Sequence, residues 1–167
     1  KRDELSAHLD SGAKRVIISR NPKDDIDRYV IPGINESSIH SSDKIISTTS
    51  STTQVLALML KMLDEEFGMQ RAMMTTVHAY TSDQPLADAA GVDLRRSRSA
   101  VENIIPNTTG APSIVEELMP QFSGKVDGIA FNVPVPNGSC VDLTTELNRM
   151  PSIEEANNAI KKYDVNV

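Results

Sequence analysis

Residues 45–54 read Ile-Ile-Ser-Thr-Thr-Ser-Ser-Thr-Thr-Gln, and residues 55–60 continue Val-Leu-Ala-Leu-Met-Leu. A strand ends and a helix begins inside this text. The junction gathers hydroxyl side chains and unpaired backbone N–H groups at a helix N-terminus, where negative charge is favoured. An anion or an activated nucleophile suits that place. The same residues read equally well as an N-cap lengthened by Ser and Thr.

Working outward, the helix that starts near Ser51 or Thr52 carries Val55, Leu56, Met59, Leu60 and Leu63 at helical spacing, with Gly68 at its end. Upstream, Asp3 to Leu9 is a helix closed by Gly12, followed by Val16-Ile17-Ile18. A continuous β-branched run directly after a helix predicts a buried strand of a parallel sheet. Arg28 to Ile31 and Lys44 to Ser47 are two further short strands. His40, amid Ser and Asp on the loop between them, reads as solvated.

Downstream, Gln70 to Ala79 is a strand with Ala72, Met74, Thr76 and His78 on one face. From Tyr80 to Asn103 no period is sustained, which marks a long loop rich in anion-binding groups. Ile104-Ile105-Pro106 reads as a short buried anchor, and Asn107-Thr108-Thr109-Gly110 opens a helix with Ile114, Val115, Leu118 and Met119. Val126 to Val135 and Ser139 to Leu147 are strands joined through Pro136-Asn137-Gly138, and the Asn-Gly pair predicts a hairpin with the two strands paired antiparallel. Ser152 to Glu155 has capping-box spacing and starts a helix reaching about Lys162.

With 167 residues, 39% hydrophobic and 24% charged, the chain has the composition of an ordinary globular protein. No apolar run approaches the roughly 20 residues of a membrane span. A net charge of −6 argues against a general nucleic-acid footprint and leaves small anions as the expected partners, with Arg95-Arg96-Ser97-Arg98 as a local basic cluster. One cysteine, Cys140, excludes an internal disulfide and reads as buried packing, and His8, His40 and His78 lack the spacing of metal ligands. No signal or targeting segment is recognisable, so the cytoplasm is the default.

The order of Ser50-Ser51-Thr52-Thr53-Gln54, Val77-His78-Ala79-Tyr80-Thr81-Ser82-Asp83-Gln84, Asp93-Leu94-Arg95-Arg96-Ser97-Arg98, Ile104 to Gly110 and Val133-Pro134-Val135-Pro136-Asn137 resembles the phosphorylating glyceraldehyde-3-phosphate dehydrogenases. The resemblance runs from the Gly12 to Ser19 region to beyond Leu143. It implies an α/β protein. Residues 1–50 would be the C-terminal part of an NAD-binding Rossmann-type domain with a parallel sheet, and residues 51–167 most of an α+β catalytic domain with a mixed, largely antiparallel sheet. The Gly-rich dinucleotide loop of that family is not in this sequence, which implies an internal fragment of a longer polypeptide.

What the resemblance implies for the residues is specific. The family's nucleophilic cysteine falls on Ser51 and its acid–base histidine on His78. The inorganic-phosphate site falls on Ser50, Thr52, Thr109 and Gly110, the substrate-phosphate site on Thr81 and Asp83 with Arg96 or Arg98, and Ser19 on a position near the nicotinamide. Asn132 stands where many members carry a phosphate-binding arginine. The implied reaction is NAD- or NADP-dependent oxidation of glyceraldehyde 3-phosphate, with inorganic phosphate, to 1,3-bisphosphoglycerate in glycolysis by a cytoplasmic homotetramer. Ser51 would leave this chain inactive, as an engineered Cys→Ser replacement or a natural loss. The remaining readings are an erythrose-4-phosphate dehydrogenase and a silent paralogue serving as a structural or interaction subunit. No metal, nucleic acid or membrane is implied.

Overall fold

A computed structural model describes residues 1–163. The last four positions of the expected catalytic segment, 164–167, lie outside the described residues. Two compact units divide the chain: Lys1–Gly68 with the segment from Arg149 onward, and Met69–Asn148.

The first unit contains α1 (Arg2–Asp10), β1 (Val16–Ile18), β2 (Arg28–Tyr29), β3 (Ile45–Ser47), α2 (Ser51–Phe67) and α4 (Ile153–Lys162). Its sheet has the order β1-β3-β2 with both pairings parallel. β3 is central, so Ile45, Ile46 and Ser47 are all buried. β1 is parallel as expected but is an edge strand, and its Ile17 is 64% exposed because no described element covers that face. Asp27 joins α1 to the sheet: it accepts from the Lys44 and Ile45 amides at 2.7 and 2.8 Å and from Arg2 at 2.7 Å. Asp43, itself buried, accepts from Arg28 Nε at 2.6 Å and from the His40 amide at 2.8 Å.

In α2 the buried line is Thr53, Leu56, Ala57, Leu60, Met62 and Phe67. Val55, expected in the stripe, is exposed, because the buried arc is centred one residue further round the helix. α4 has the full capping box: Ser152 accepts from the Glu155 amide while Glu155 accepts from the Ser152 amide. It is tied to the end of α2 by Lys162 with Glu66 and by the Tyr163 hydroxyl donating to Glu65.

The second unit holds β4 (Met69–Ala79), β5 (Ile105–Asn107), α3 (Ala111–Leu118), β6 (Val126–Val133) and β7 (Ser139–Leu147). Its sheet order is β5-β6-β4-β7, with β6 parallel and β7 antiparallel to β4. The α/β class with a mixed, mostly antiparallel sheet therefore holds. The expected β6–β7 hairpin does not: β4 lies between the two strands and pairs with both. A turn signal is local information, whereas β4 is the strand whose alternate residues Ala72, Met74 and Thr76 bury against the core, so it takes the interior position. The connection from 134 to 138 passes over the end of β4, where the Ala79 amide donates to Gly138 O at 3.0 Å and the Tyr80 amide to Val135 O at 3.3 Å.

Ile105 is buried in β5 as an anchor, but Ile104 is 65% exposed. Cys140 is likewise exposed and not core packing, because it points to the open face of the sheet alongside Val77. Residues 80–103 contain no helix or strand, as the sequence predicts.

Gly128 faces Met74 across the β6–β4 pairing, and a Cβ there would lie 3.0 Å from Met74 Cε and 3.1 Å from its carbonyl oxygen. Backbone cannot retreat from a sheet pairing, so Gly128→Ala should cost about 1–3 kcal/mol in thermal or urea denaturation. Asp27 is held down to about 2, first by its hydrogen bond from Arg2 and then by the Ile45 and Lys44 amides. A carboxyl depressed in the folded state adds stability above its unfolded pKa of about 4, and loses it as pH falls toward the folded value. Arg2 is 44% exposed, which limits the gain. Asp27→Asn should therefore destabilise by about 1–2 kcal/mol at neutral pH, with urea midpoints converging on wild type as pH approaches 2.

Candidate active site

In the first unit, the carboxyl ends of the parallel strands and the start of α2 form one ledge, the place where open α/β sheets bind ligands. The chain leaves β3 at Ser47 and turns through Thr49, whose φ of 64° is left-handed. A β-branched residue in that region is strained, at a cost of about 1–3 kcal/mol. The strain is held by burial: Thr49 is 1% exposed, its amide donates to Ser47 Oγ at 2.9 Å, and Ser47 Oγ in turn donates to Arg20 O at 2.7 Å.

Ser50 is then the N-cap, accepting from the Thr53 amide at 3.2 Å and lying 2.8 Å from Thr53 Oγ1. Gln54 reaches back to donate to Thr48 O at 2.7 Å. Ser51, the first residue of α2, is exposed, and its side chain has no hydrogen-bond partner among the described residues. Thr52 is half-buried beside it. Ser19 follows β1 directly, is exposed, and lies at the same carboxyl edge, where the Thr48 amide donates to Ile18 O at 2.9 Å.

In the second unit, His78 lies at the C-terminal end of β4, half-buried, with Asn132 and Ser139 as its register partners. Its Nδ1 is 2.8 Å from Ala79 O. A carbonyl only accepts, so the proton of the neutral ring is on Nδ1 and Nε2 is left as the acceptor. Ala79 O also accepts from Asn132 Nδ2 at 3.1 Å.

Thr81, Asp83 and Arg96 come together. The Thr81 hydroxyl donates to one Asp83 oxygen and the Arg96 guanidinium to the other, and these contacts hold the Asp83 carboxyl below its usual range. Gln84, only 6% exposed, closes the turn by accepting from the Thr81 amide at 3.0 Å, while its Nε2 is buried without a partner among the described residues. Arg98 is apart from this cluster and donates to Asp88 at 3.1 Å. The Ser99 amide and then Arg98 lower the Asp88 carboxyl.

Gly110 is the N-cap of α3 without a side-chain cap, and Thr109 Oγ1 accepts from the Ala111 amide at 3.2 Å. Arg95, Arg96, Asn107 and Thr108 line one cavity of about 420 Å³. Asn132 is 7% exposed and spends both ends of its amide on protein groups, since its Oδ1 accepts from Asn107 Nδ2 at 3.0 Å. Asn107 and Gln84 join the site in the structure without a mark in the sequence. Nothing in their own spacing marks them, since their partners are 25 residues away or lie in an irregular turn. Among the described residues no group of His, Cys, Asp and Glu could hold a metal ion. No described helix is long and apolar enough to cross a membrane.

A parallel sheet in one unit and a mixed sheet in the other, each accompanied by helix, make this an α/β chain. Residues 50–166 match the family model of the glyceraldehyde 3-phosphate dehydrogenase C-terminal domain, and the chain belongs to that dehydrogenase family. It is 50% identical over 158 residues to glyceraldehyde-3-phosphate dehydrogenase of Mycobacterium avium, covering 95% of this chain and 46% of that protein. Against the proteins of the same name from Priestia megaterium and Streptomyces coelicolor it is 45% and 47% identical over 163 residues, or 97% of this chain and 48% of each of them. The chain thus spans about half the length of these relatives.

Capping and chemistry separate at the elbow. Ser50→Ala should cost about 1 kcal/mol in urea denaturation through loss of the cap. Ser51→Ala, which removes a hydroxyl with no described partner, should stay within about 0.5 kcal/mol of wild type.

Proposed function

We propose that this chain is part of a phosphorylating aldehyde dehydrogenase that oxidises glyceraldehyde 3-phosphate, with inorganic phosphate, to 1,3-bisphosphoglycerate. The observation that carries the reading is the elbow: a strained Thr49 and a capping Ser50 present position 51, exposed and free of described partners, at the N-terminus of a 17-residue helix. A thiolate there would be favoured by the helix end. Residues 1–50 read as the tail of the dinucleotide-binding domain and 51–167 as catalytic domain.

Ser51 holds the nucleophile's place with the wrong atom. A hydroxyl ionises far less readily than a thiol of pKa about 8.5. An oxygen ester also lacks the reactivity toward phosphate that the thioester route needs. His78, with its Nδ1 proton committed to Ala79 O, offers Nε2 to take or return a proton. Ser50, Thr52, Thr109 and Gly110 supply hydroxyls and backbone N–H groups for inorganic phosphate. The phosphate of the substrate goes to the Thr81–Asp83 turn, where Arg96, the arginine that reaches it, would exchange the Asp83 carboxylate for the incoming anion while Arg98 stays with Asp88.

Ser19, exposed at the carboxyl edge of the first unit's sheet, is the position this reading assigns next to the nicotinamide. Bound NAD or NADP would accept the hydride. A cytoplasmic glycolytic homotetramer is the setting that goes with this reading.

A second reading, a silent subunit that keeps the fold, is favoured by Ser51 itself. The codon at position 51 in the source gene separates the two: cysteine eliminates the silent subunit, serine supports it. In the full-length polypeptide, Ser51→Cys should raise NADH formation from glyceraldehyde 3-phosphate by roughly 10³–10⁶-fold over the serine form, and only with phosphate present. Saturating substrate with no NADH from the cysteine form would sink the dehydrogenase reading. A higher rate with erythrose 4-phosphate would reassign the substrate.

A further inference from the structure

In the second unit, five polar groups form one continuous line through four hydrogen bonds, running from the exposed Thr108 to the half-buried His78. The Thr108 amide donates to Asn107 Oδ1 at 2.9 Å, Asn107 Nδ2 donates to Asn132 Oδ1 at 3.0 Å, Asn132 Nδ2 donates to Ala79 O at 3.1 Å, and His78 Nδ1 reaches the same oxygen at 2.8 Å. Both ends matter to the function proposed above. One end is the turn that enters Thr109 and Gly110, and the other is the carbonyl that decides which nitrogen of His78 is free.

The resemblance places a phosphate-binding arginine at position 132. Asn132 cannot stand in for it, because a side chain 7% exposed with its carbonyl and its amide both engaged by protein groups has no face to offer a substrate. Its amide instead fills the second lone pair of Ala79 O, fixing the carbonyl toward which His78 donates. Asn107 fixes Asn132, since a primary amide held at its oxygen cannot rotate its NH₂ away.

We propose that Asn132, locked by Asn107, is a positioning residue that keeps His78 in its Nδ1–H tautomer and ties that histidine to the register of the 108–110 turn. This inference rests on the dehydrogenase reading for its purpose, but its geometry and its test do not need activity.

The test is the tautomer itself, read from two-bond ¹H–¹⁵N couplings in the ¹⁵N-histidine-labelled protein above the imidazole titration. His78 is assigned by its loss in His78→Gln, and the exposed His8 and His40 are internal references. Wild type should show His78 with Nδ1 protonated. Asn132→Leu removes the donor to Ala79 O and should shift the His78 tautomer ratio about fivefold toward Nε2–H, which is about 1 kcal/mol at 1.4 kcal/mol per tenfold. Asn132→Val removes the same donor with a smaller apolar side chain, so it should shift the ratio equally. Asn107→Ala, at the half-buried end of the line, should give a smaller shift in the same direction, with His8 and His40 unmoved.

If the Asn132 variants fail to fold, Asn107→Ala decides alone. An unchanged His78 tautomer in the folded variants overturns the proposal. So does a raised KM for phosphorylated aldehyde with the tautomer intact, which would return Asn132 to the phosphate site. Absence of NADH formation in the Ser51→Cys protein would remove the dehydrogenase reading and leave the tautomer result standing.

Discussion

The interior position of β4 is the constraint on which the second unit depends. Both of its backbone edges are consumed, one by β6 in parallel and one by β7 in antiparallel. The connection between β6 and β7 therefore has to cross the C-terminal end of β4, and its carbonyls at Val135 and Gly138 accept from the Tyr80 and Ala79 amides there. Those bonds fix the peptide beside His78 before any side chain is considered. The half-buried histidine, the buried Asn132 and the start of the long loop all inherit their places from that crossing.

In the first unit the comparable constraint is the parallel pairing of β3 with both neighbours, which aligns the carboxyl ends of three strands. The chain must reverse from strand to helix within three residues, Thr48 to Ser50, and it does so by placing Thr49 in a left-handed conformation. Glycine would accept that conformation more readily. A buried threonine there is stabilised by the Ser47 hydroxyl and by packing, so the turn is rigid where glycine would be loose.

How much of this was legible beforehand depended on the range of the information. The helix starting at Ser51, the N-cap, the parallel β1 and the capping box of α4 were readable because each is encoded within one or two turns of sequence. The place of β6 and β7 was not, because Asn137-Gly138 describes a local bend and is silent about a third strand 60 residues earlier inserting between the two. Val55 and Ile17 show the same limit from another side: periodicity and β-branching identify a helix or a strand, but which residue faces the core depends on the partner element. The pairing of Asn107 with Asn132 joins residues 25 apart in sequence, and the bond from Asn132 to Ala79 spans 53, so neither leaves a local trace.

Cys140 gives the last consequence. It is the one sulfur nucleophile in this chain, and it is exposed on the face of the sheet opposite His78. With a hydroxyl at position 51, an alkylating reagent applied to this chain counts a residue on β7 and says nothing about the helix start. The same arrangement makes the chain a single-site conjugate as it stands: a maleimide dye or spin label would attach at one defined strand position, one per chain, without any engineered cysteine.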